Sequence, residues 1–376
     1  MTTVLTPGVD ITPRVDLAQV ILVLHRLYGI TECKVEELAG YDDKNYHVRV
    51  LDPTRCLSNP HLTQSGAQSG PPSDFVLKIT NSLDSGNGAL FDAHKEIMLL
   101  LGARGFRVQQ PLRNVRGEFH SLETFGSNEH MVRLLSYLPG QTLKSITLTN
   151  DIVYKLGAEV ARLAVTLKSF AHAFYDSHRS VWMLSELNRL NSFLFVLKEE
   201  GRVEMVKRVL SEFQTKVLAR LDSFEKGVIH GDINEQNILI TEDKEQSPRE
   251  LFSILDFGDS QHSCLVFDLA IAITYMVLET KDLDTGAYML AGYSKVRKLP
   301  YNELNILKTC IMARLCQSLI LGLYTYQEQG SSNPYVLGTQ AAGWTLLETL
   351  DKYDTHELMK RWTQIGTDLG HYDSDD

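Results

Sequence analysis

His230-Gly231-Asp232-Ile233-Asn234-Glu235-Gln236-Asn237, running into the apolar stretch Ile238–Ile240, and then Leu255-Asp256-Phe257-Gly258-Asp259 decide how this chain is read. Asp256 lies nineteen positions after Asn237. A carboxylate at Asp232 and an amide at Asn237 on one tight loop can face a common centre. A hairpin through the turn-rich Thr241–Glu250 would bring Asp256 beside them. Phosphoryl transfer needs little covalent chemistry from a protein. It needs an aligned hydroxyl, a carboxylate to take its proton, and magnesium to offset phosphate charge. Asp232 is the candidate catalytic base, and Asn237 and Asp256 supply the hard oxygens that suit Mg2+. Either tripeptide alone, His-Gly-Asp or Asp-Phe-Gly, is ordinary turn chemistry; the two in this order, each joined to apolar strand residues, are specific.

Upstream of these loops the pattern changes twice. Apolar residues at Leu17, Val20, Ile21, Leu24 and Leu27 have helical spacing, and three strand-like runs follow: Cys33–Leu38, Tyr46–Leu51 and Phe75–Ile79. Between the last two, Asp52–Ser73 is rich in Pro, Ser, Gly and Gln and reads as a long mobile surface loop. A helix over Ala89–Ala103 and strands near Phe119–Thr124 and Met131–Tyr137 complete the first third, and Leu138-Pro139-Gly140 breaks the pattern. Beyond it the chain is mainly amphipathic helix. The expected organisation is an α+β fold in four parts. A flexible tail covers 1–15 and an N-terminal nucleotide-binding lobe 16–138, with a mobile insert at 52–73. A helical C-terminal lobe at 139–372 carries both polar loops, and an acidic tail covers 373–376. A cleft between lobes is a usual place for a ligand.

The pattern H-G-D-x-x-x-x-N followed by D-[FW]-G resembles the aminoglycoside phosphotransferase and choline kinase family, relatives of the protein kinases. The resemblance implies a protein-kinase-like two-lobed fold, with a small strand-rich N-terminal lobe and a larger helical C-terminal lobe. Within that family, Ala39–Val48, Val132–Gly140, Ile254–Asp259 and Arg314–Leu319 are similar to the branch that phosphorylates 5-hydroxy-L-lysine. That likeness implies transfer of the γ-phosphoryl of GTP, or ATP, to a side-chain hydroxyl. The alternatives are another amino alcohol (choline, ethanolamine or homoserine) as acceptor, or an inactive kinase fold that only binds nucleotide. The implied partners are a purine nucleotide and a small cationic amino acid or amino alcohol.

The same resemblance makes Lys78, in Phe75-Val76-Leu77-Lys78-Ile79, the contact to the nucleotide phosphates; by itself it would be an edge-strand lysine. Its expected partner is a glutamate on the next helix. Glu96 is the one glutamate on Ala89–Ala103, yet the family's spacing from Gly105 falls on His94, and Asp92 is a further choice. The loop over the phosphates, Gly40-Tyr41-Asp42-Asp43-Lys44-Asn45, has one glycine where kinases place several; its two aspartates would repel phosphate, meet a cation, or simply form a turn. Ser136–Leu138 is the segment whose backbone would read the purine. Asp268, ahead of the apolar helix Leu269–Leu278, reads as a brace for the catalytic loop. Arg314, in the apolar run Cys310–Leu323, must be paired; it would take a substrate carboxylate or brace an internal acid such as Asp268. Asp259 is either a ligand for a substrate ammonium or a turn residue. Trp182 and its aromatic neighbours line either the acceptor pocket or the core, and His230 reads as a satisfied loop histidine.

Composition excludes other classes. A formal charge of −10 and a pI near 5.7 lack the basic stripes a nucleic-acid binder needs and favour cationic ligands. Five widely spaced cysteines without a C-x-x-C pair read as reduced thiols in a cytoplasmic protein. Residues 1–15 match neither a secretory signal nor a presequence. No stretch is apolar for the length of a membrane span, and the nearest candidate, Leu269–Leu278, reads as a buried helix.

Overall fold

The computed structural model describes residues 5–63, 72–242, 250–328 and 337–368. Two compact units divide it, Val9–Pro139 and Met1–Gly8 with Gly140–Asp376.

In the first unit the strands Cys33–Leu38, Lys44–Val50, Asp74–Ile79 and Asn128–Ser136 pair antiparallel in that order, and Asn128–Ser136 also pairs with Ser121–Phe125. The central strand Asp74–Ile79 alternates as a strand covered on both faces must. Phe75, Leu77 and Ile79 join Val20, Leu24, Leu27 and Tyr28 of the helix Leu17–Tyr28 in one core. Val76 and Lys78 take the other face, where Arg133, the cross-strand partner of Lys78, packs over Phe91 of the helix Gly88–Ala103 at 4.8 Å.

Two expectations need correction. Residues 52–63 are not a loose loop: they form the helical turns Pro53–Cys56 and Pro60–Thr63, and Cys56, Leu57 and Leu62 are buried in the core, where apolar area outweighs the chain entropy of ordering them. The rest of that insert, 64–71, lies outside the described residues, as do 243–249 of the hairpin and the acidic tail. Nor does the N-terminal segment stay free to residue 15, because Ile11 and Pro13 are buried and the Ile11 carbonyl accepts from Ser82 N–H at 2.9 Å.

The second unit is helical. Helices Asn150–Leu167 and Thr285–Val296 approach so closely that a Cβ at Gly157 would lie 2.2 Å from the Met289 carbonyl oxygen, and one at Gly292 only 1.8 Å from that of Tyr154. Any side chain at either glycine would force the helices apart. The helix carrying Asp268 is longer than its apolar run indicated, spanning Leu265–Thr280. Among the described residues one helix, within Tyr301–Glu328, is long and apolar enough to cross a membrane, but 94% of its most apolar window is buried inside the protein. Two small sheets remain in this unit: Ile238–Glu242 pairs antiparallel with Glu250–Ile254 and with Gln141–Thr142, and Lys226–Ile229 pairs with Gln261–Cys264.

Candidate active site

The loop bearing Asp232 leaves the strand Lys226–Ile229 and is gripped at its first residues. Asp268, fully buried, accepts from the backbone N–H groups of His230 and Gly231, both at 2.8 Å. Burial pushes the Asp268 carboxyl up, against the pull of His230 and these two amides. The bracing role expected of Asp268 is what the geometry has it do. Although Asp268 lies in the first turn of its helix, its carboxylate accepts from the loop amides.

Both ring nitrogens of His230 are engaged. Nδ1 accepts from Asp232 N–H at 3.2 Å, which leaves the proton on Nε2 to donate to the Leu255 carbonyl at 2.8 Å. His230 is therefore a satisfied loop histidine, and it ties one polar loop to the other. A second tie runs from Leu255 N–H to the Asn237 carbonyl at 2.8 Å, continuing the register in which Ile238 faces Ile254. These bonds fix Asn237 opposite the residue before Asp256. Asp256 adopts φ +56, a left-handed conformation that aspartate tolerates better than most residues, and its Oδ1 accepts from Gly258 N–H at 3.2 Å.

Asp232 is held at both oxygens. Oδ2 accepts from Asn237 Nδ2 and from Asn234 Nδ2, each at 2.8 Å. Oδ1 accepts from Arg314 Nη2 at 2.6 Å. An ionised carboxylate offers about four lone-pair sites. Two bonds fill Oδ2 and one sits on Oδ1, so the remaining site, the one a hydroxyl proton would use, is on Oδ1. Asn237 spends both amide hydrogens on Asp232, the second on its carbonyl at 3.0 Å, which turns its own Oδ1 into the atom available to a cation.

The donor set fits magnesium: one amide oxygen from Asn237 and one carboxylate from Asp256, hard ligands too few to close a shell without water or phosphate. Among the described residues no group of three or more His, Cys, Asp and Glu side chains is placed to hold a metal by itself.

Arg314 was expected to take a substrate carboxylate or to brace an acid such as Asp268; the acid it braces is Asp232. Asp268 is already occupied by two amides, and the helix Tyr301–Glu328 presents Arg314 to Asp232. Its Nε also donates to the Tyr275 hydroxyl at 3.1 Å, and the guanidinium lies 5.1 Å from the Trp182 ring and 5.4 Å from the Tyr275 ring. Asn234 was not singled out from the sequence. Its Oδ1 accepts from Gln236 N–H and Asn237 N–H at 2.8 and 3.0 Å, an Asx turn that an asparagine two residues after Asp232 and three before Asn237 could have announced.

In the N-terminal unit Lys78 is buried, as a charged side chain rarely is without a partner. Glu96 is exposed and cannot be the inward carboxylate of that helix. The buried positions on Gly88–Ala103 include His94 and Ile97, and a residue two beyond His94 is turned about 200° around the axis. His94, where the spacing count ended, lies 3.4 Å from Arg133 Nη1, while Asp92 bonds Lys95 at 2.7 Å. Asp43 is used within the fold, its Oδ1 accepting from Asn81 N–H at 2.9 Å and Asn81 Nδ2 at 3.1 Å. Burial and the neighbouring Asp43 push Asp42 up to about 7, and burial pushes Asp84 up to about 6. In the segment expected to read the purine, Ser136 N–H donates to the Gln110 carbonyl at 2.9 Å and is thus used within the fold.

Residues 39–299 match the model of the phosphotransferase enzyme family. A hydroxylysine kinase from Danio rerio is 33% identical over 360 residues, covering 94% of this chain and 96% of its own. A hydroxylysine kinase from Xenopus laevis is 31% identical over 367 residues, covering 93% of each. Among solved structures, a microcompartment-associated aminopropanol kinase superposes with a TM-score of 0.65 at 16% identity, covering 89% of this chain and 98% of that one, a likeness of fold.

Proposed function

Because the chain belongs to the phosphotransferase enzyme family and is a small-molecule kinase with an alcohol acceptor, we propose that it moves the γ-phosphoryl of GTP to the side-chain hydroxyl of 5-hydroxy-L-lysine. Support for the chemistry rests on one observation above the others. Asp232 and Asn237 are bonded to each other, and the Asn237 carbonyl is bonded to the residue preceding Asp256, so base and cation ligands belong to one hydrogen-bonded assembly. Support for the acceptor is the two relatives named hydroxylysine kinase, which align along nearly the whole chain. The acidic balance of the protein favours such a cationic substrate.

In this reading the acceptor hydroxyl donates to Asp232 Oδ1, the carboxylate oxygen with a lone pair to spare. As the hydroxyl oxygen bonds to the γ-phosphorus, the bridge from that phosphorus to the β-phosphate breaks, the nucleoside diphosphate leaves, and the hydroxyl proton passes to Asp232. Arg314, Asn234 and Asn237 hold the carboxylate so that this lone pair has one direction. Magnesium, when bound by Asn237 and Asp256, supplies positive charge against the phosphate oxygens. Lys78 serves the donor phosphates as a point charge, and Tyr137 and Leu138 meet the purine. Glu96 has no part in it.

Transfer of label from γ-labelled GTP to 5-hydroxylysine, run beside ATP and beside choline, ethanolamine and homoserine, tests the reading. Asp232→Ala should lose roughly two to four orders of magnitude in kcat, the usual worth of a general base. Full activity in that variant would overturn the mechanism, and preference for another amino alcohol would overturn the acceptor.

A further inference from the structure

Arg314 is 2% exposed, and its Nη1 has no hydrogen-bond partner among the described residues. The other two nitrogens of the same guanidinium are committed, Nη2 to Asp232 Oδ1 and Nε to the Tyr275 hydroxyl. A buried charged donor left unmatched is costly, and a group of this kind calls for an explanation, of which a bound partner is one. Nη1 shares its rigid fork with Nη2, which contacts the very carboxylate oxygen a hydroxyl would use. An acceptor molecule bonded to Asp232 Oδ1 therefore lies within reach of Nη1.

We propose that Arg314 is the receptor for the carboxylate of an amino-acid acceptor, and that the enzyme is thereby specific for hydroxyamino acids over the amino alcohols that lack that group. The inference rests on the phosphotransferase reading and narrows its substrate class. Three surroundings support it. The aromatic rings of Trp182 and Tyr275 keep water from the guanidinium, so a carboxylate there makes a dry, charge-assisted pair. Gln317, one helical turn beyond Arg314, holds the segment bearing Trp182 through Nε2 bonds to the Val181 and Met183 carbonyls at 3.0 and 3.2 Å. Asp259 adds a negative charge that acts on Arg314. Such a pair of opposite charges matches the two charges of a free amino acid.

The test compares 5-hydroxylysine with decarboxylated 5-hydroxylysine and with 5-hydroxylysinamide, in wild type and in Arg314→Gln. Wild type should favour the free acid over both analogues by at least about 100-fold in kcat/KM. In Arg314→Gln the disturbed Asp232 slows every substrate alike, whereas the preference ratio should collapse toward one through loss on the free acid. The ratio thus separates a carboxylate receptor from a residue that merely orients the base. A wild-type ratio near one, a ratio unchanged in Arg314→Gln, or a variant whose defect lies in the KM for nucleotide would each overturn the proposal; the last would assign Nη1 to a donor phosphate. Should Arg314→Gln fail to fold, the three-substrate ratio of wild type decides alone. Calorimetric binding of the same three compounds to wild type separates the two levels of inference. Carboxylate-dependent binding without any turnover would sink the kinase reading and keep the receptor, and binding of none of the three would sink the receptor.

Discussion

Replacing Asp268 by asparagine tests whether one buried carboxylate holds the loop that carries the base. Its Oδ2 and Oδ1 accept separately from His230 N–H and Gly231 N–H at 2.8 Å each, in a site with no exposure to solvent. An amide keeps one acceptor and turns the other oxygen into a donor, so one backbone N–H stays matched and the second faces an N–H group. The loss of one bond to a charged group is worth about 1.5–3 kcal/mol, and the buried donor left over adds about 1–3 kcal/mol. Against this, removing a charge that burial already disfavours returns part of the sum. A net destabilisation of about 2–4 kcal/mol follows, equivalent to a Tm lower by roughly 3–5 °C for a chain of this size. Activity should suffer more than stability, because Asp232 directly follows the released Gly231, and misplacement of a reacting group by about 1 Å can cost about 100-fold. Thermal unfolding followed by circular dichroism, with a coupled assay of nucleoside diphosphate release, measures both. Unchanged Tm together with unchanged kcat would refute the reasoning.

Gly231→Ala should disable the same loop by another route: its φ is +85°, and an added Cβ would lie 2.3 Å from the Asp259 carbonyl oxygen. The expected cost is at least about 1–3 kcal/mol of strain with near-complete loss of turnover, and a fully active variant would show that the loop yields. For Asp42 and Asp84 the folded-state values lie above the ordinary carboxylate range, so the stability they contribute is complete below that range and is lost as pH rises through about 6–7. Wild-type Tm should therefore fall between about pH 5 and pH 8 by the equivalent of roughly 1–3 kcal/mol, and Asp42→Asn should flatten that slope; parallel profiles for the two proteins would contradict it.

How far the sequence alone reached depends on whether a feature is local. Strand alternation in Asp74–Ile79, the helical period of Leu17–Tyr28 and the loop pattern from His230 to Asn237 are short-range properties of the chain, and each was legible because its physics is contained within a few residues. So was the α+β, two-lobed class, since strand-forming and helix-forming periods occupy different parts of the chain; its kinase-like character came from the resemblance carried by the two polar loops. Where the reading failed, the cause was compositional. Residues 52–63 look like a loop because they run into the Pro-, Ser-, Gly- and Gln-rich stretch that ends at Ser73, yet Cys56, Leu57 and Leu62 find a core made by distant elements. Glu96 looked right by residue type and was wrong by helical phase, which the sheet beneath the helix sets.

Charge pairing was the part that only tertiary structure decided. A sequence shows that Arg314 must be neutralised, but Asp232 and Asp268 are both acids within one loop's reach, and the choice rests on which is already satisfied. Two backbone amides occupy Asp268, so the arginine goes to Asp232. Hydrogen bonds are saturable, and saturation is a property of the folded neighbourhood rather than of the residue. The polar residues of the two loops were therefore legible in the chain, while their wiring, including the Arg314 Nη1 left unmatched among the described residues, came from helices and loops separated by dozens of residues.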